Sequence, residues 1–369
     1  MVTFTSFWIY QRLLVQGSSI AQQPGRYTIT EVKILGLKWN TNTDEFCIEL
    51  PQFDFSKTKV NKRNILSHIA TPFDPTGMVS PVFLKGRNLM SRIVADGVKW
   101  DEPLKQQHVD DWKEIAQSWI NPETGKGYQF KFPRPISRHI RNPRAKFELH
   151  AFADASEQGF GTAIYLVTIL NGERISSLIF GKSSIIPPKF RKEDGSIKVE
   201  SMPRCELQAA FNTVKAVRFV VHELQVKLED IQIWTDNMVV IDWLRSNKSC
   251  GVFEDNRLDV IRHFKVAHVL GPWNPADIAS REQNPEDVFE SIIWSKGPSW
   301  LEEDKSIQKK SKEFREYLPE IHLNPETSPF CSAFVYIAAK KNKKEPRRQS
   351  GPQKKDFNAL GLEYGRFGS

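Results

Sequence analysis

The chain has 369 residues, 40% hydrophobic, 11% aromatic and 26% charged, which is the composition of a folded globular protein and excludes a disordered, collagen-like or coiled-coil chain. Its length gives room for roughly two or three domains. A formal net charge of +8 favours an anionic partner only where the basic residues are concentrated.

Four cysteines, Cys47, Cys205, Cys250 and Cys331, lie far apart without a CxxC pair. That spacing suggests neither a disulfide framework nor a thiolate zinc site, and it fits an intracellular protein, cytoplasmic or nuclear and not secreted. The apolar stretch Phe4 to Val15 is interrupted by Gln11 and Arg12 and is too short to cross a bilayer, so no signal peptide and no membrane helix are expected.

Residues 1–30 carry no clear pattern. A strand-like run from Thr28 to Trp39, a polar turn at Asn40 to Asp44 and the alternating FCIEL read as a hairpin. From Lys62, Ile65 and Ile69 recur at helical spacing until Pro72 and Pro75 stop the helix. Two more helices are expected over roughly Val82 to Ala95 and Leu104 to Ile120, the second opened by the acids of WDEP. Residues 31–124 thus read as one mainly helical module.

Gly125 to Lys146 holds seven Lys or Arg, no acid and three prolines, and reads as an extended basic connector. It is either a solvated linker or a contact for phosphates, with Lys131, Arg134, Arg138, Arg141 and Arg144 as the candidate ligands. Strands then follow: FELHAFADAS, GFGTAIYLVTIL and ERISSLIFGKSSI are simplest as three adjacent antiparallel strands. Pro203 to Val226 is a long amphipathic helix, IQIWTD a fourth strand and NMVVIDWLRSN a helix directly after it. A helix near Asp255 to His263, a strand FKVAHVLG and a short helix NPADIASR with Asn274 as its cap complete the order. The fold class is α/β, with a sheet covered on both faces over residues 147–301. Residues 302–369 form a basic tail expected to be disordered.

Four carboxylates stand out by position. Asp154 closes the first strand of the sheet, Glu206 lies in the first turns of the long helix, Asp236 ends the fourth strand and Asp277 sits in the last short helix. Each is flanked by apolar sequence, where an uncompensated acid is costly. Brought together, four ionised groups need cations between them, and hard oxygen ligands suit Mg²⁺ or Mn²⁺. Two such ions are what a metal-dependent phosphodiesterase uses. For Asp277 taken alone, three residues after Asn274, a helix-cap role is the simpler reading.

The segments FADAS, PRCELQAA, WTDNMVV and HVLGPWNPADIASR, in that order, resemble the ribonuclease H domain of BEL/Pao long-terminal-repeat retrotransposon polyproteins. The upstream ILGLKWN, KRNILSHIATPFDPTGMVSPV and WDEP resemble the thumb or connection-like part of the same polyproteins, often named Pao retrotransposon peptidase. The resemblance spans roughly residues 30 to 301. It implies a ribonuclease H-like mixed sheet flanked by helices, cleavage of the RNA strand of an RNA–DNA hybrid, and Asp154, Glu206, Asp236 and Asp277 as ligands of two Mg²⁺ ions. Ser156, Thr235, Asn237, His268 and Asn274 fall inside the matching motifs; substrate contact, ligand orientation or a structural hydrogen bond are the roles open to them.

The departures are specific. No polymerase motif precedes Ile34, and Asp110 and Asp111 in HVDDWKE read as a solvated helix face. Cys205 stands where the family more often has a larger aliphatic residue and Glu282 where it usually has Gly, both compatible with a decaying copy that only binds nucleic acid. An aspartic peptidase needs two Asp-Thr/Ser-Gly turns; the nearest match, Asp74 in FDPTG, is interrupted by Pro75 and reads as a turn residue. The +8 divides into +7 over residues 305–369 and +1 over residues 1–304, with +7 in the connector and −2 over residues 147–282. The basic balance therefore lies in two segments flanking an acidic region.

Overall fold

In the computed structural model, which describes residues 31–34, 36–190, 201–224 and 226–303, the first strands form where apolar and polar residues alternate. β1 (Glu31–Ile34), β2 (Leu37–Asn40) and β3 (Glu45–Glu49) are consecutive antiparallel neighbours. The single strand expected from Thr28 to Trp39 is broken at Gly36, whose φ of 101° turns the chain back on itself. Leu37, Trp39, Phe46 and Ile48 face inward.

Three helices follow: α1 (Lys62–Ile69), α2 (Val82–Ala95) and α3 (Gln106–Ser118). Asn61 caps α1 by accepting from the Asn64 amide. The acids of WDEP do not open α3. Lys105 holds its N-cap position, and Asp101 instead pairs with Arg63 across 2.8 Å. Asp111 pairs with Arg92, and Asp110 accepts from Gln106 on the same helix.

The basic connector contains a strand. β4 (Gln129–Pro133) pairs antiparallel with β3, because Phe130 and Phe132 turn inward while Gln129 and Lys131 stay outside. The upstream module thus combines the three expected helices with a four-stranded antiparallel sheet, β1-β2-β3-β4, whose fourth strand the expectation of a mainly helical module did not include.

The larger sheet has the order β7-β6-β5-β8-β9. β5 (Lys146–Ala155), β6 (Phe160–Leu170) and β7 (Glu173–Ser184) are antiparallel neighbours, while β8 (Asp230–Thr235) lies parallel to β5 and β9 (Lys265–His268) parallel to β8. Leu149, Ala151 and Ala153 on one face of β5 join Leu207, Val214 and Val217 of α4 (Met202–Leu224) in one core, with α5 (Met238–Arg245) and α6 (Val252–Ile261) beside it. Full burial of each such aliphatic side chain contributes about 1.5–3 kcal/mol. Phe152 on the opposite face joins a second core with Trp234, Trp294 and Trp300, which is continuous with the core of the upstream module. That side carries α7 (Ala276–Ser280), α8 (Pro285–Glu290) and α9 (Ile292–Lys296).

The FDPTG turn and α2 meet the larger sheet along β7. Thr76 O accepts from the Gly181 amide at 2.8 Å, Trp294 Nε1 donates to Met78 O at 2.8 Å, and Arg87 donates to Ser183 O at 2.8 Å. Asp74 organises this turn by accepting from the Met78 and Val79 amides at 2.8 and 2.9 Å. Burial pushes its carboxyl up to about 6, against the pull of those amides and of Arg87. Asn88 reaches both Gln158 O and the Glu282 carboxylate, so Glu282 ties the upstream module to the larger sheet.

No helix among the described residues is long and apolar enough to cross a membrane. Expectations for residues 1–30, for the tail beyond residue 303 and for Cys331 lie outside the described residues.

Candidate metal centre

The ends of β5 and β8 and the start of α4 converge on one acidic cluster. Asp154, Glu206 and Asp236 each offer a carboxylate oxygen, and these atoms all lie within 4.8 Å of one another. Asp154 and Glu206 are 4% and 8% exposed, so the repulsion between them is weakly screened by water.

Close approach of backbone makes this convergence possible. Gly161 pairs with Asp154 across β5 and β6, and a Cβ there would stand 2.1 Å from Ala276 O. Glycine alone lets α7 settle onto the sheet beside Asp154. Asn274 fastens the same corner, donating to Ala153 O at 3.1 Å and accepting from the Ala276 amide at 3.2 Å. The residue immediately before α7 is Pro275, and the expected capping bond to the first turn comes from Asn274 before it.

Ser280 donates to Asp154 Oδ2, while Asn237 and Asn274 stand beside Glu206 and Asp236 and favour the charged form of each. The Ser280 carbonyl in turn accepts from Ser156 Oγ at 2.6 Å. Asn237 also caps α5 through the Val240 amide. Ser156 and Asn237 thus each make bonds that fix the local fold. His268 donates to the Asp236 carbonyl at 3.2 Å, and Thr235 Oγ1 accepts from the Asn237 amide.

The electrostatics favour a cation. Burial, then the nearby Asp236, pushes Asp154 up to about 7; burial, then Asp154 and Asp236, pushes Glu206 up to about 9; burial raises Asp236 as well. Glu206 Oε2 is buried without a hydrogen-bond partner. An orphaned oxygen among three crowded carboxylates is a donor set that suits a hard divalent cation.

Asp277 stands at the edge of this group. It is close enough to raise both Asp154 and Asp236, yet its carboxylate is paired with Arg281 at 2.6 Å and lies outside the three-residue cluster. Among the connector residues, Arg134 departs from expectation: it is 5% exposed, forms a two-pronged ion pair with Asp44 at 2.6 and 2.8 Å, and lies over the Trp39 ring. A phosphate has no access to it. Lys131 is exposed on the outer face of β4, Arg144 is exposed in a turn, and Arg138 and Arg141 lie in the segment leading to β5.

Ser280 is the residue that motif reading missed, because its partner is 126 positions away. Removing it with Ser280→Ala is expected to weaken divalent-metal affinity by roughly tenfold or more, since Asp154 loses the bond that orients it. Titration calorimetry with Mg²⁺ reads this directly, and affinity equal to wild type would refute the role.

The raised carboxyls also give a pH signature. Below pH about 4 these groups are protonated in both folded and unfolded chains and contribute nothing. Between about 4 and the folded values, near 7 for Asp154 and near 9 for Glu206, the unfolded chain releases protons that the folded chain holds, so stability falls as pH rises. The metal-free protein is expected to lose thermal stability across that window, and Mg²⁺ to restore more of it at pH 8 than at pH 5.5. Thermal scans with and without EDTA test it.

A family model described as Pao retrotransposon-like RNaseH-like domain matches residues 61–237, from the start of α1 to just past Asp236. Among solved structures, RNase H1 from the halophilic archaeon Halobacterium salinarum NRC-1 is 12% identical, the match covering 36% of this chain and 93% of that one at a TM-score of 0.24. LC11-RNase H1, solved in complex with an RNA/DNA hybrid, is 11% identical with the same coverage and a TM-score of 0.21. The foamy viral protease-reverse transcriptase, solved with dsDNA, is 11% identical over 65% of this chain at a TM-score of 0.21, and the match spans 44% of that chain. No curated protein matches the sequence.

Proposed function

We propose, from the match of residues 61–237 to a family model described as Pao retrotransposon-like RNaseH-like domain, that the chain hydrolyses the RNA strand of RNA–DNA hybrids at the Asp154–Glu206–Asp236 cluster. The observation that carries this reading is the convergence of three carboxylates on one point, with the buried Glu206 Oε2 left unpartnered.

Asp154, Glu206 and Asp236 would hold Mg²⁺, or Mn²⁺, with Asp277 as a fourth ligand once it leaves Arg281. Bound as a pair, such ions supply activation of a water and stabilisation of the departing oxygen of a phosphodiester. The chain contributes orientation. Ser280 holds Asp154 by a neutral bond, and Asn237 and Asn274 beside Glu206 and Asp236 favour their charged forms. Arg281, released from Asp277, is a cation at the rim where an anionic backbone arrives.

The upstream FDPTG turn supports no peptidase. The Asp74 carboxylate is occupied by two backbone amides, and its other electrostatic neighbour is a guanidinium, where a peptidase pair would need a second carboxylate.

The test is incubation of the full chain with an end-labelled RNA–DNA hybrid and Mg²⁺. Endonucleolytic products from the RNA strand, absent with EDTA and absent with single-stranded RNA or duplex DNA, are expected. Hybrid binding without any RNA cleavage would replace this reading with that of a non-catalytic binding relic.

A further inference from the structure

The outward side of α4 carries Arg204, Gln208, Phe211, Lys215, Arg218 and His222 at alternating steps of four and three residues. That spacing aligns them in one row along the helix. Between Arg204 and His222 the sole carboxylate is Glu206, which is buried in the acidic cluster.

α6 packs beside this row and completes a ladder of cations and rings. Lys215 Nζ lies 5.4 Å from the centre of the Phe211 ring, and the Arg257 guanidinium is 5.4 Å from Phe211 and 3.5 Å from Phe253. Arg204 then lies 5.7 Å from Phe253 on the side nearest Glu206. Arg257 is held further by Gln208 Oε1 at 2.8 Å and the Phe253 carbonyl at 2.7 Å. The rings fix the cations in place at little entropic cost.

The charges of this ladder are unequally compensated. Arg204 pairs with the buried Glu254 at 2.6 Å. Among the described residues, Lys215 and Arg257 have no carboxylate within ion-pair distance, and Lys215 is exposed. Fixed, uncompensated cations in a line are costly to maintain unless an anion of similar extent uses them.

We propose that the α4–α6 ladder binds the phosphate backbone of one nucleic-acid strand and leads it to the Asp154–Glu206–Asp236 cluster. The inference rests on the reading of that cluster as a phosphodiester site, and it adds a substrate-positioning surface outside it. From Arg204 to Lys215 the helix rises about 16 Å, and the phosphates of one strand advance about 3.4 Å each along the duplex axis, so the row is long enough to meet several of them. Arg204 lies two residues before Glu206, so the outward row and the buried acidic cluster start at the same end of α4.

The experiment measures binding of a labelled RNA–DNA hybrid to the full chain in EDTA, over a salt series, for wild type and for the double variant Lys215→Glu/Arg257→Gln. Arg204 is left intact because its removal would strand Glu254 in the interior. Affinity is expected to fall about tenfold at roughly 0.1 M salt, and the slope of log K against log salt to shrink by about 2. Lys59→Gln, an exposed lysine of the upstream module, serves as the control that keeps the wild-type slope.

An unchanged slope in the double variant overturns the proposal. So does failure of wild type to bind the hybrid, or its displacement by poly-glutamate as readily as by unlabelled hybrid. Should the double variant unfold, Lys215→Glu alone, on the exposed side of α4, gives the same comparison with a slope change of about 1. A lowered thermal midpoint with wild-type binding identifies the ladder as a mere tie between α4 and α6 and also overturns it. Cleavage in Mg²⁺ is scored separately: wild type that binds with the expected salt dependence but never cuts RNA sinks the catalytic reading while the ladder stands.

Discussion

Asp154→Asn is expected to lower RNA cleavage by on the order of a thousandfold or more, about 4 kcal/mol in barrier, while making the metal-free protein more stable. The two effects share a cause. Asp154 is buried among Glu206 and Asp236, and the folded chain pays for holding charge there in the absence of a cation. Asparagine keeps the shape and the bond from Ser280 but removes the charge. A gain of about 1–3 kcal/mol at pH 8, shrinking toward pH 4 where the native carboxyl is itself protonated, follows from its raised pKa. Denaturant unfolding in EDTA at the two pH values and hybrid cleavage in Mg²⁺ are the paired measurements. Cleavage that survives the substitution refutes the assignment of Asp154, and equal stability at both pH values refutes the electrostatic account.

The second large effect concerns the joint between the FDPTG turn and β7. Gly77 has φ of 73°, and a Cβ there would stand 1.8 Å from Gly181 O on β7. Gly77→Ala therefore meets two penalties: about 1–2 kcal/mol for a left-handed backbone with a side chain, and about 1–3 kcal/mol for forcing two backbones apart. Together they should lower stability by about 3 kcal/mol, which for a body of this size is roughly 6–12 °C in thermal midpoint. Gly97 isolates the first penalty, because it has the same φ of 73° with nothing within 4 Å of its Cβ. Gly97→Ala should cost only about 1–2 kcal/mol. If both substitutions cost the same, close packing against β7 contributes nothing and the joint is looser than its hydrogen bonds indicate.

Sequence and structure agree where one local pattern decides the outcome. The strands β5, β6 and β7, the long helix α4 and the order of elements through α7 follow from period-two and period-3.6 repeats that need no knowledge of distant partners. The three acids that converge were visible for the same reason, since each terminates or begins an element whose direction the pattern sets. What escaped notice depends on contacts between remote segments. Arg134 looks like any basic residue of a polar connector until Asp44, 90 positions away, takes two of its three guanidinium nitrogens. The alternation of Phe130 and Phe132 was present, but seven basic residues and three prolines masked a strand whose partner β3 lies far upstream. Asp101 and Glu102 had the composition of a helix start, yet Arg63 offered Asp101 a better partner than the dipole of α3.

The bond from the Gly181 amide to Thr76 O also sets an order of events during synthesis. At about 5–20 residues per second, the FDPTG turn emerges some 5–20 s before Gly181 does, and β4, which completes the smaller sheet, also precedes it. The outer edge of β7 therefore meets a surface already made. Trp294, 216 residues after Met78, arrives last and closes the contact from the other side. A nascent strand edge that is covered as it appears has little time to recruit a neighbouring chain, so the same domain expressed without residues 31–133 should aggregate during refolding even where its own core is intact.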